Sequence, residues 1–310
     1  MTTTLSDMIN EVSMNLSGYT LTQDRSTYIK SAVPATASSS ASPIVLSLGS
    51  TDNVGKGIVE IDEELFWIDT YDRVGNTATV APYGRAYLGT TLAAHTADTK
   101  VTISPTFPKF SIKRAINDTI KGLSGTLFAA DTTTITYNSA VSTYRIPATG
   151  TITGGIRNIL SVAYEAIGPS KEWIPVRSWR PDLNANSTAF TSEQTISIYD
   201  TITSGRTIQI VYSKDPTAFT TNSEVFTTQT GLPESCRDLV ITGATYRLLS
   251  NLDPARAAMV SAQADETDSK RPYGSSQSLT RQIYALYTQR LAEEVKSQQN
   301  KHPIRVHYSL

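Results

Sequence analysis

The stretch LPESCRDLVITGATYRLLSN, residues 232–251, begins a region in which the sequence predicts helices as far as Asn300. Pro233 suits a helix start, because the first N–H groups of a helix have no partner within it. A second segment begins at Asp253, a residue type that caps helices well. A third, SLTRQIYALYTQRLAEEV at residues 278–295, carries apolar side chains at helical spacing. We expect this stripe to pack against a neighbouring helix; it contains Leu279, Ile283, Leu286, Tyr287 and Leu291.

Two further amphipathic helices are predicted earlier in the chain. One covers residues 5–16 and ends at Gly18, which suits a helix C-terminus. The other includes FPKFSIKRAINDTI, residues 107–120, with its apolar side chains on one face. Short helices of this kind are marginal in water without a packing partner. We therefore expect the N-terminal, middle and C-terminal helices to form one helical bundle.

Between the helices, the hydrophobic pattern changes to a period of two, as in strands. Thr, Ile, Val and Tyr alternate in two regions, with Gly, Pro and Asn at the breaks. The expected fold class is α+β, a helical bundle with two inserted antiparallel β modules and an extended C-terminal arm. The predicted segments are an N-terminal helix with a polar segment (1–33), a linker (34–43), a small β-barrel or sandwich (44–105), a bundle helix (106–125), a second β-sandwich (126–231), C-terminal helices (232–300) and the arm (301–310).

Composition argues against several classes of function. The formal net charge of −1 and the pI of about 6.3 give no general attraction to nucleic acid. No apolar run is long enough to span a bilayer, so no membrane partner is expected. Phosphate-loop, paired-cysteine, HExxH, GxSxG and EF-hand motifs are missing from the sequence. We therefore expect no enzyme activity, no cofactor and no metal.

The loop GRAYLGTTLAAH, residues 84–95, has the residue types of a site, with Arg85 and His95 at its ends. A metal site needs several ligands, and no second histidine or cysteine lies nearby. The chain has only three histidines, so a catalytic arrangement is not indicated either. A structural role is favoured for this loop.

The segment SKEWIPVRSWRPD, residues 170–182, allows two interpretations. Exposed Trp173 and Trp179 beside Arg180 would form a loop that binds a sugar or a partner chain. The same tryptophans would alternatively fill the core of the second β module. We favour the core, because tryptophan is highly buried on average.

The segment KHPIRVHYSL, residues 301–310, follows the last helix, which Pro303 ends. Ile304, Val306 and Tyr308 then alternate with polar residues, as in an amphipathic strand. No neighbouring strand is available in the sequence. We expect this arm to dock on another subunit by strand addition.

The order of these segments resembles that of the head-to-tail adaptor, or head completion, proteins of tailed bacteriophages. GIVEIDEELFWID and GRAYLGTTLAAHTADTKV, both within residues 57–101, are similar to a small β module of phage virion proteins. FPKFSIKRAINDTI, residues 107–120, is similar to an adaptor helix. Residues 232–310 are similar to the helices and the C-terminal arm through which adaptors engage a portal. The resemblance covers about half of the chain.

The resemblance implies a structural protein of the virion neck, assembled in the host cytoplasm. It implies a ring of typically twelve copies under the portal, packed side by side through the stripe of the last helix. DNA would pass through the lumen without sequence-specific binding. The implied partners are the portal and a tail nozzle, tube or fibre protein. The arm would contact the portal through Pro303, Ile304, Arg305, Val306, His307, Tyr308 and Leu310.

Two rival classes of function remain open. A tail-fibre, nozzle or host-glycan-binding tail protein would use the segment from Trp173 to Arg180 on glycans. Such a protein commonly has a coiled-coil stem, and the C-terminal helices lack sustained heptads. A glycan hydrolase of the virion would need two carboxylates facing each other across a cleft, and no pair stands out in the sequence.

Overall fold

The structure, a computed structural model, describes residues 2–19, 23–148, 152, 155–168, 171–186, 188–191, 193–250 and 275–303, with only the backbone at 275–277. The chain divides into two compact units. We call Ser6–Ile116 with Gly243–Ile283 the six-stranded unit. Met1–Leu5, Asn117–Thr242 and Tyr284–Leu310 together form the two-sheet unit.

The described residues form five α-helices, and four of them lie in segments where helical periodicity predicts helices. The exception is α3, which has five residues. The predicted helix beginning at Asp253 lies outside the described residues. No helix in the described ranges is both long enough and apolar enough to cross a bilayer. The helices are α1 (Leu5–Ser17), α2 (Lys109–Gly122), α3 (Phe226–Thr230), α4 (Arg237–Leu249) and α5 (Ser275–Lys301).

The six-stranded unit contains one antiparallel sheet with the strand order β1-β6-β3-β4-β5-β2. Its two edge strands meet, because Ile29 and Leu48 form an isolated bridge beyond their ends. The Lys30 N–H donates to the Ser47 carbonyl at 2.8 Å across the same junction. Inward side chains such as Leu46, Phe66 and Val101 form its core. The strands are β1 (Arg25–Tyr28), β2 (Val45–Ser47), β3 (Gly57–Ile61), β4 (Glu64–Asp72), β5 (Thr77–Val80) and β6 (Lys100–Ile103).

The two-sheet unit contains a four-stranded sheet with the order β10-β9-β13-β7 and a three-stranded sheet with the order β11-β12-β8. Both sheets are antiparallel. Ile135 and Ile208 from the first sheet and Ile146 and Ile196 from the second contribute to one hydrophobic core, as in a sandwich. The strands are β7 (Ala129–Thr136), β8 (Thr143–Arg145), β9 (Asn158–Glu165), β10 (Trp173–Pro175), β11 (Trp179–Asp182), β12 (Thr195–Ile198) and β13 (Thr207–Lys214).

The expected α+β helical bundle with two inserted β modules is wrong. Over the described residues the fold is mostly β, with 13 strands in three sheets, and 29% of these residues are helical. The cores of the sheets described above consist of strand and loop residues and contain no helical residue. Each amphipathic helix buries one stripe, whereas each sheet gathers strands that lie far apart in the sequence. Periodicity reveals the elements but not this long-range pairing, so it cannot predict that the sheets, and not a helical bundle, form these cores.

Candidate functional site

A buried ionic cluster lies in the six-stranded unit, where the loop between β5 and β6 meets the start of β4. Glu64 opens β4 with a side chain that is almost fully buried. Arg85 binds it with two hydrogen bonds, from Nε to Oε1 at 2.7 Å and from Nη2 to Oε2 at 2.9 Å. His95 Nε2 lies 3.0 Å from Glu64 Oε2, and its Nδ1 lies 2.7 Å from Asp62 Oδ2. The cluster therefore joins two loop residues to one strand end.

The same side chains also bind three stretches of backbone. Arg85 donates to the carbonyls of Pro34, Thr36 and Ala93 at 2.8, 3.1 and 2.6 Å. Glu64 accepts the N–H groups of Ala86 at 3.0 Å and Ala93 at 2.9 Å. Residues 34 and 36 lie in the segment predicted as a linker, so the cluster attaches part of that segment to the loop at residues 84–95.

The ionisation of the cluster follows from its contacts. Burial alone would raise the pKa of Glu64, but hydrogen bonds from Arg85 and His95 outweigh it and lower the pKa to about 2. Burial lowers the pKa of His95, and its bonds to Glu64 and Asp62 outweigh burial and raise it. Glu64 is therefore a carboxylate at neutral pH, with the Arg85 guanidinium and the His95 ring at hydrogen-bonding distance.

This arrangement suits a structural role better than a catalytic one. His95 is only 3% exposed, so a substrate has no access to its ring. No group of three or more His, Cys, Asp or Glu in the described ranges could hold a metal ion. The sequence pattern points to Arg85 and His95 but not to Glu64, which is the centre of the cluster. The signal was its position directly before the apolar run Leu65–Phe66, which is buried.

The cluster also holds a strained stretch of backbone. Tyr83, Ala86 and Leu88 have φ angles of 58°, 50° and 55°, in a region that favours glycine. Tyr83 and Leu88 are 86% and 65% exposed. The bonds from Arg85 and Glu64 fix the backbone next to these residues, so the exposed side chains are presented from a rigid loop.

The predicted stripe of the last helix lies on α5, and the structure divides it. Ile283 and Tyr287 are buried, Leu279 and Leu291 are half-buried, and Leu286 is 57% exposed. The buried side of α5 continues at Glu294, a charged residue outside the predicted apolar stripe.

Within the two-sheet unit, Arg290 fixes α5 to α4. Arg290 donates to Asp238 Oδ2 at 2.9 Å and to Glu294 Oε1 at 3.2 Å. Glu294 Oε2 accepts the Ser235 hydroxyl at 3.0 Å, directly before α4. A charged side of α5 therefore packs within this unit, and the exposed Leu286 does not belong to that contact.

A cleft of about 370 Å³ lies in the two-sheet unit where α5 ends. Its apolar lining includes Phe128, Leu232 and Cys236, and its polar lining includes Gln298 and His302. Burial, reinforced by the nearby Glu294 carboxylate, raises the pKa of the Cys236 thiol to about 12, so this thiol is neutral and unreactive.

The end of α5 is joined to the residue that precedes β7. The Phe128 N–H donates to Gln298 Oε1 at 3.2 Å, and Gln298 Nε2 donates to the Phe128 carbonyl at 2.5 Å. The ring of His302 lies 5.8 Å from that of Phe128 between centroids. Of the predicted arm contacts, only exposed Pro303 is described; Ile304, Arg305, Val306, His307, Tyr308 and Leu310 lie outside the described residues.

The structure brings the two tryptophans of the predicted partner-binding loop to one pocket of about 330 Å³. Trp173 on β10 is 41% exposed. Trp179 on β11 is half-buried against the sandwich core, and Arg180 is exposed. Leu160, Ser161, Val162 and Pro175 are among the other lining residues. The pocket thus offers aromatic surface and few polar side chains.

A comparison with models of protein families finds a match. A family model described as SU10 adaptor protein matches residues 86–306, about seven tenths of the chain. The matched range begins in the loop of the buried cluster and includes the two β-sheets of the two-sheet unit and the end of α5. A search of curated proteins finds no matching sequence.

Proposed function

Because the chain belongs to the SU10 adaptor protein family, a family of phage adaptors, we propose that it is a head-to-tail adaptor of the virion neck. The family match is the observation that carries this proposal. Membership makes the chain an adaptor-type structural protein of a phage. The proposal adds that the copies form a ring under the portal, connect the capsid to the tail and continue the DNA channel.

The exposed part of α5 supports the ring. A helix of 27 residues is about 40 Å long at 1.5 Å per residue, which is enough for an extended contact between neighbouring copies. Leu286 is exposed, and Leu279, two turns earlier, is half-buried. We assign the contact between copies to these two residues, while Ile283, Tyr287 and Leu291 are already wholly or partly buried within one chain. Twelve copies is the number that the resemblance implies.

The charge of the chain supports passage of DNA without binding. Each phosphate contact releases counterions and adds affinity, so a strongly basic lumen would hold the DNA in place. The formal net charge of the chain is −1. A ring of such chains fits a channel through which DNA slides, assembled in the host cytoplasm and then part of the virion.

The arm is proposed as the portal-binding segment. Removal of residues 304–310 leaves α5 and its bonds to Phe128 and Asp238 in place, so the fold should be retained. We expect the truncated chain to lose co-sedimentation with the portal of its virus and to remain folded. Retained co-sedimentation would remove the arm from the portal contact. A tail nozzle, tube or fibre protein is the proposed partner on the other side.

One observation favours a second candidate function, a host-glycan-binding tail protein. Trp173 presents an exposed aromatic face beside Trp179, and aromatic faces commonly stack on sugars. Binding of the chain to glycans of the host surface, lost on Trp173→Ala, together with no binding to the portal, would favour this function over the adaptor.

A further inference from the structure

The strand β7 forms one edge of the four-stranded sheet, and its outer side is open. All eight of its residues pair with β13 on the inner side. In an antiparallel pair, alternate residues direct both backbone groups to the partner strand. Tyr137, just after β7, donates to the Arg206 carbonyl and accepts from the Gly205 N–H, which fixes the alternation. The residues that direct their N–H and C=O groups outward are therefore Ala130, Thr132, Thr134 and Thr136.

These outward groups are available to another strand. Within the described part of the chain, the Thr132 N–H has a partner, Oδ1 of the preceding Asp131 at 2.8 Å. For Thr134 and Thr136, the described residues provide no hydrogen bond to the outward backbone groups. The side chains of Thr134 and Thr136 are exposed. Each group left open is a site to which an extended chain can bind.

The edge also lacks the usual protection against strand pairing. Proteins protect edges with short strands, prolines, lysines or bulges. The opposite edge of this sheet, β10, has three residues and ends at Pro175. By contrast, β7 has eight residues, without proline, lysine or a bulge against β13, and its one charged side chain, Asp131, is paired with Lys214 of β13. An edge so long and regular is typical of a strand that receives a partner.

The end of α5 shows which segment is close enough to be that partner. Phe128 has the same outward alternation as Thr134, and its N–H and C=O are already bound by the Gln298 amide. His302 packs on Phe128, so Pro303 lies at the beginning of the open edge. The seven residues from 304 to 310 would span about 23 Å as a strand, and β7 spans about 26 Å, at 3.3 Å per residue.

We propose that the outer edge of β7 is the docking site of residues 304–310 of the same chain. Starting at Phe128, the segment runs parallel to β7 and binds its outward N–H and C=O groups. The inference rests on the proposed portal-binding role of the arm, and it adds a way in which portal binding by the arm is regulated. The edge holds the arm before assembly and releases it to the portal.

The test uses the chain without residues 304–310 and a fluorescent synthetic peptide of residues 301–310, without any portal. We expect saturable binding of the peptide to the truncated chain. Thr134→Pro removes an outward N–H and should reduce the affinity at least tenfold, whereas the control Thr134→Ala keeps that N–H and should bind normally. The full-length chain should bind the peptide at least tenfold more weakly, because its own arm competes at a millimolar effective concentration.

Several results would overturn the proposal. One is a truncated chain that does not bind the peptide, and another is unchanged affinity in Thr134→Pro. Equal affinity of the full-length and truncated chains would assign the edge to the arm of a second copy instead. Should Thr134→Pro lower the melting temperature strongly, Thr136→Pro provides the same test at the next outward N–H. Since the assay contains no portal, failure of the adaptor proposal leaves its result unaffected.

Discussion

The six-stranded sheet and the four-stranded sheet have similar Thr-, Ile- and Val-rich strands but differ in whether their edge strands are paired. In the first, the edge strands β1 and β2 meet at the bridge between Ile29 and Leu48. Buried charges then fix the adjoining loop through Arg85 and Glu64. In the second, β7 keeps an open outer edge, along which Ala130, Thr132, Thr134 and Thr136 are exposed. The difference indicates that the first sheet is built for rigidity and the second for docking.

The largest expected effect is the loss of the buried cluster. Arg85→Ala leaves the Glu64 carboxylate buried without its main partner, which should cost about 3–5 kcal/mol of unfolding free energy. Urea unfolding followed by circular dichroism measures it. Lys56→Ala is the matched control, because the exposed Lys56–Asp69 pair should contribute less than about 1 kcal/mol. Equal effects of the two substitutions would contradict a rigid, charge-held loop.

Two neighbouring prolines test the open edge. The Thr133 N–H faces β13, so Thr133→Pro removes a ladder hydrogen bond, leaves the carbonyl of Ile210 unpaired and should cost about 1–3 kcal/mol. The Thr134 N–H faces outward, so Thr134→Pro in the chain without residues 304–310 should cost less than about 1 kcal/mol. Thermal unfolding of the two variants provides the comparison. Similar melting temperatures would show that the alternation along β7 has been assigned wrongly.

A pH-dependent contribution is expected in the six-stranded unit. Burial raises the pKa of Glu60 to about 7, although its carboxylate accepts the Lys109 N–H at 2.6 Å. The unfolded chain has a lower pKa for this group, so the folded state binds more protons between about pH 4.5 and 7. The contribution of Glu60 to the unfolding free energy is therefore fully present below pH 4.5 and is lost as the pH rises towards 7.

The raised pKa of His95 also makes the fold less stable as the pH rises. Comparison with Glu60→Gln, which lacks only the Glu60 carboxyl group, separates the two contributions. The wild-type chain should lose about 2 kcal/mol more than the variant between pH 5 and pH 8, measured by urea unfolding. Parallel pH profiles of the two chains would mean that Glu60 titrates normally. Glu64 does not interfere with this comparison. Its pKa of about 2 means that its contribution to stability is lost only as the pH falls below 4.5.

The smallest effects are expected at the tryptophans. Trp179→Ala removes a half-buried ring from the sandwich core and should cost about 2 kcal/mol, less than a fully buried ring. Trp173→Ala removes an exposed ring and should cost less than about 1 kcal/mol. Chemical unfolding ranks the pair. A larger loss at Trp173 would move that ring into the core and remove the support for glycan binding.

The local elements were within reach of the sequence, whereas their pairing was not. Apolar spacing predicts helix in the segments of α1, α2, α4 and α5, and alternation predicts strands such as β13. The meeting of β1 and β2 depends on contacts between Ile29 and Leu48, which no local pattern encodes. For that reason, helical periodicity alone wrongly predicts that the helices form the organising core.

The site was partly predictable for a similar reason. Arg85 and His95 attract attention because charged residues stand in an apolar loop, and a structural role was favoured. Their partner Glu64 lies 21 and 31 residues away, and its burial follows only from the folded position of β4. The open edge of β7 is equally unpredictable from the sequence, because a strand lies at an edge only when no other strand pairs with its outer side. Residue types indicate which side chains can form ion pairs, and the topology determines which of these side chains lie next to one another.

The adaptor role is tested most directly by the mass of the purified chain, alone and mixed with the portal of its virus, by light scattering. We expect that the mixture gives one large complex of fixed stoichiometry, in which each portal ring carries a ring of adaptor chains. A stable trimer whose mass does not change on addition of portal would contradict the adaptor role and favour a fibre-type tail protein.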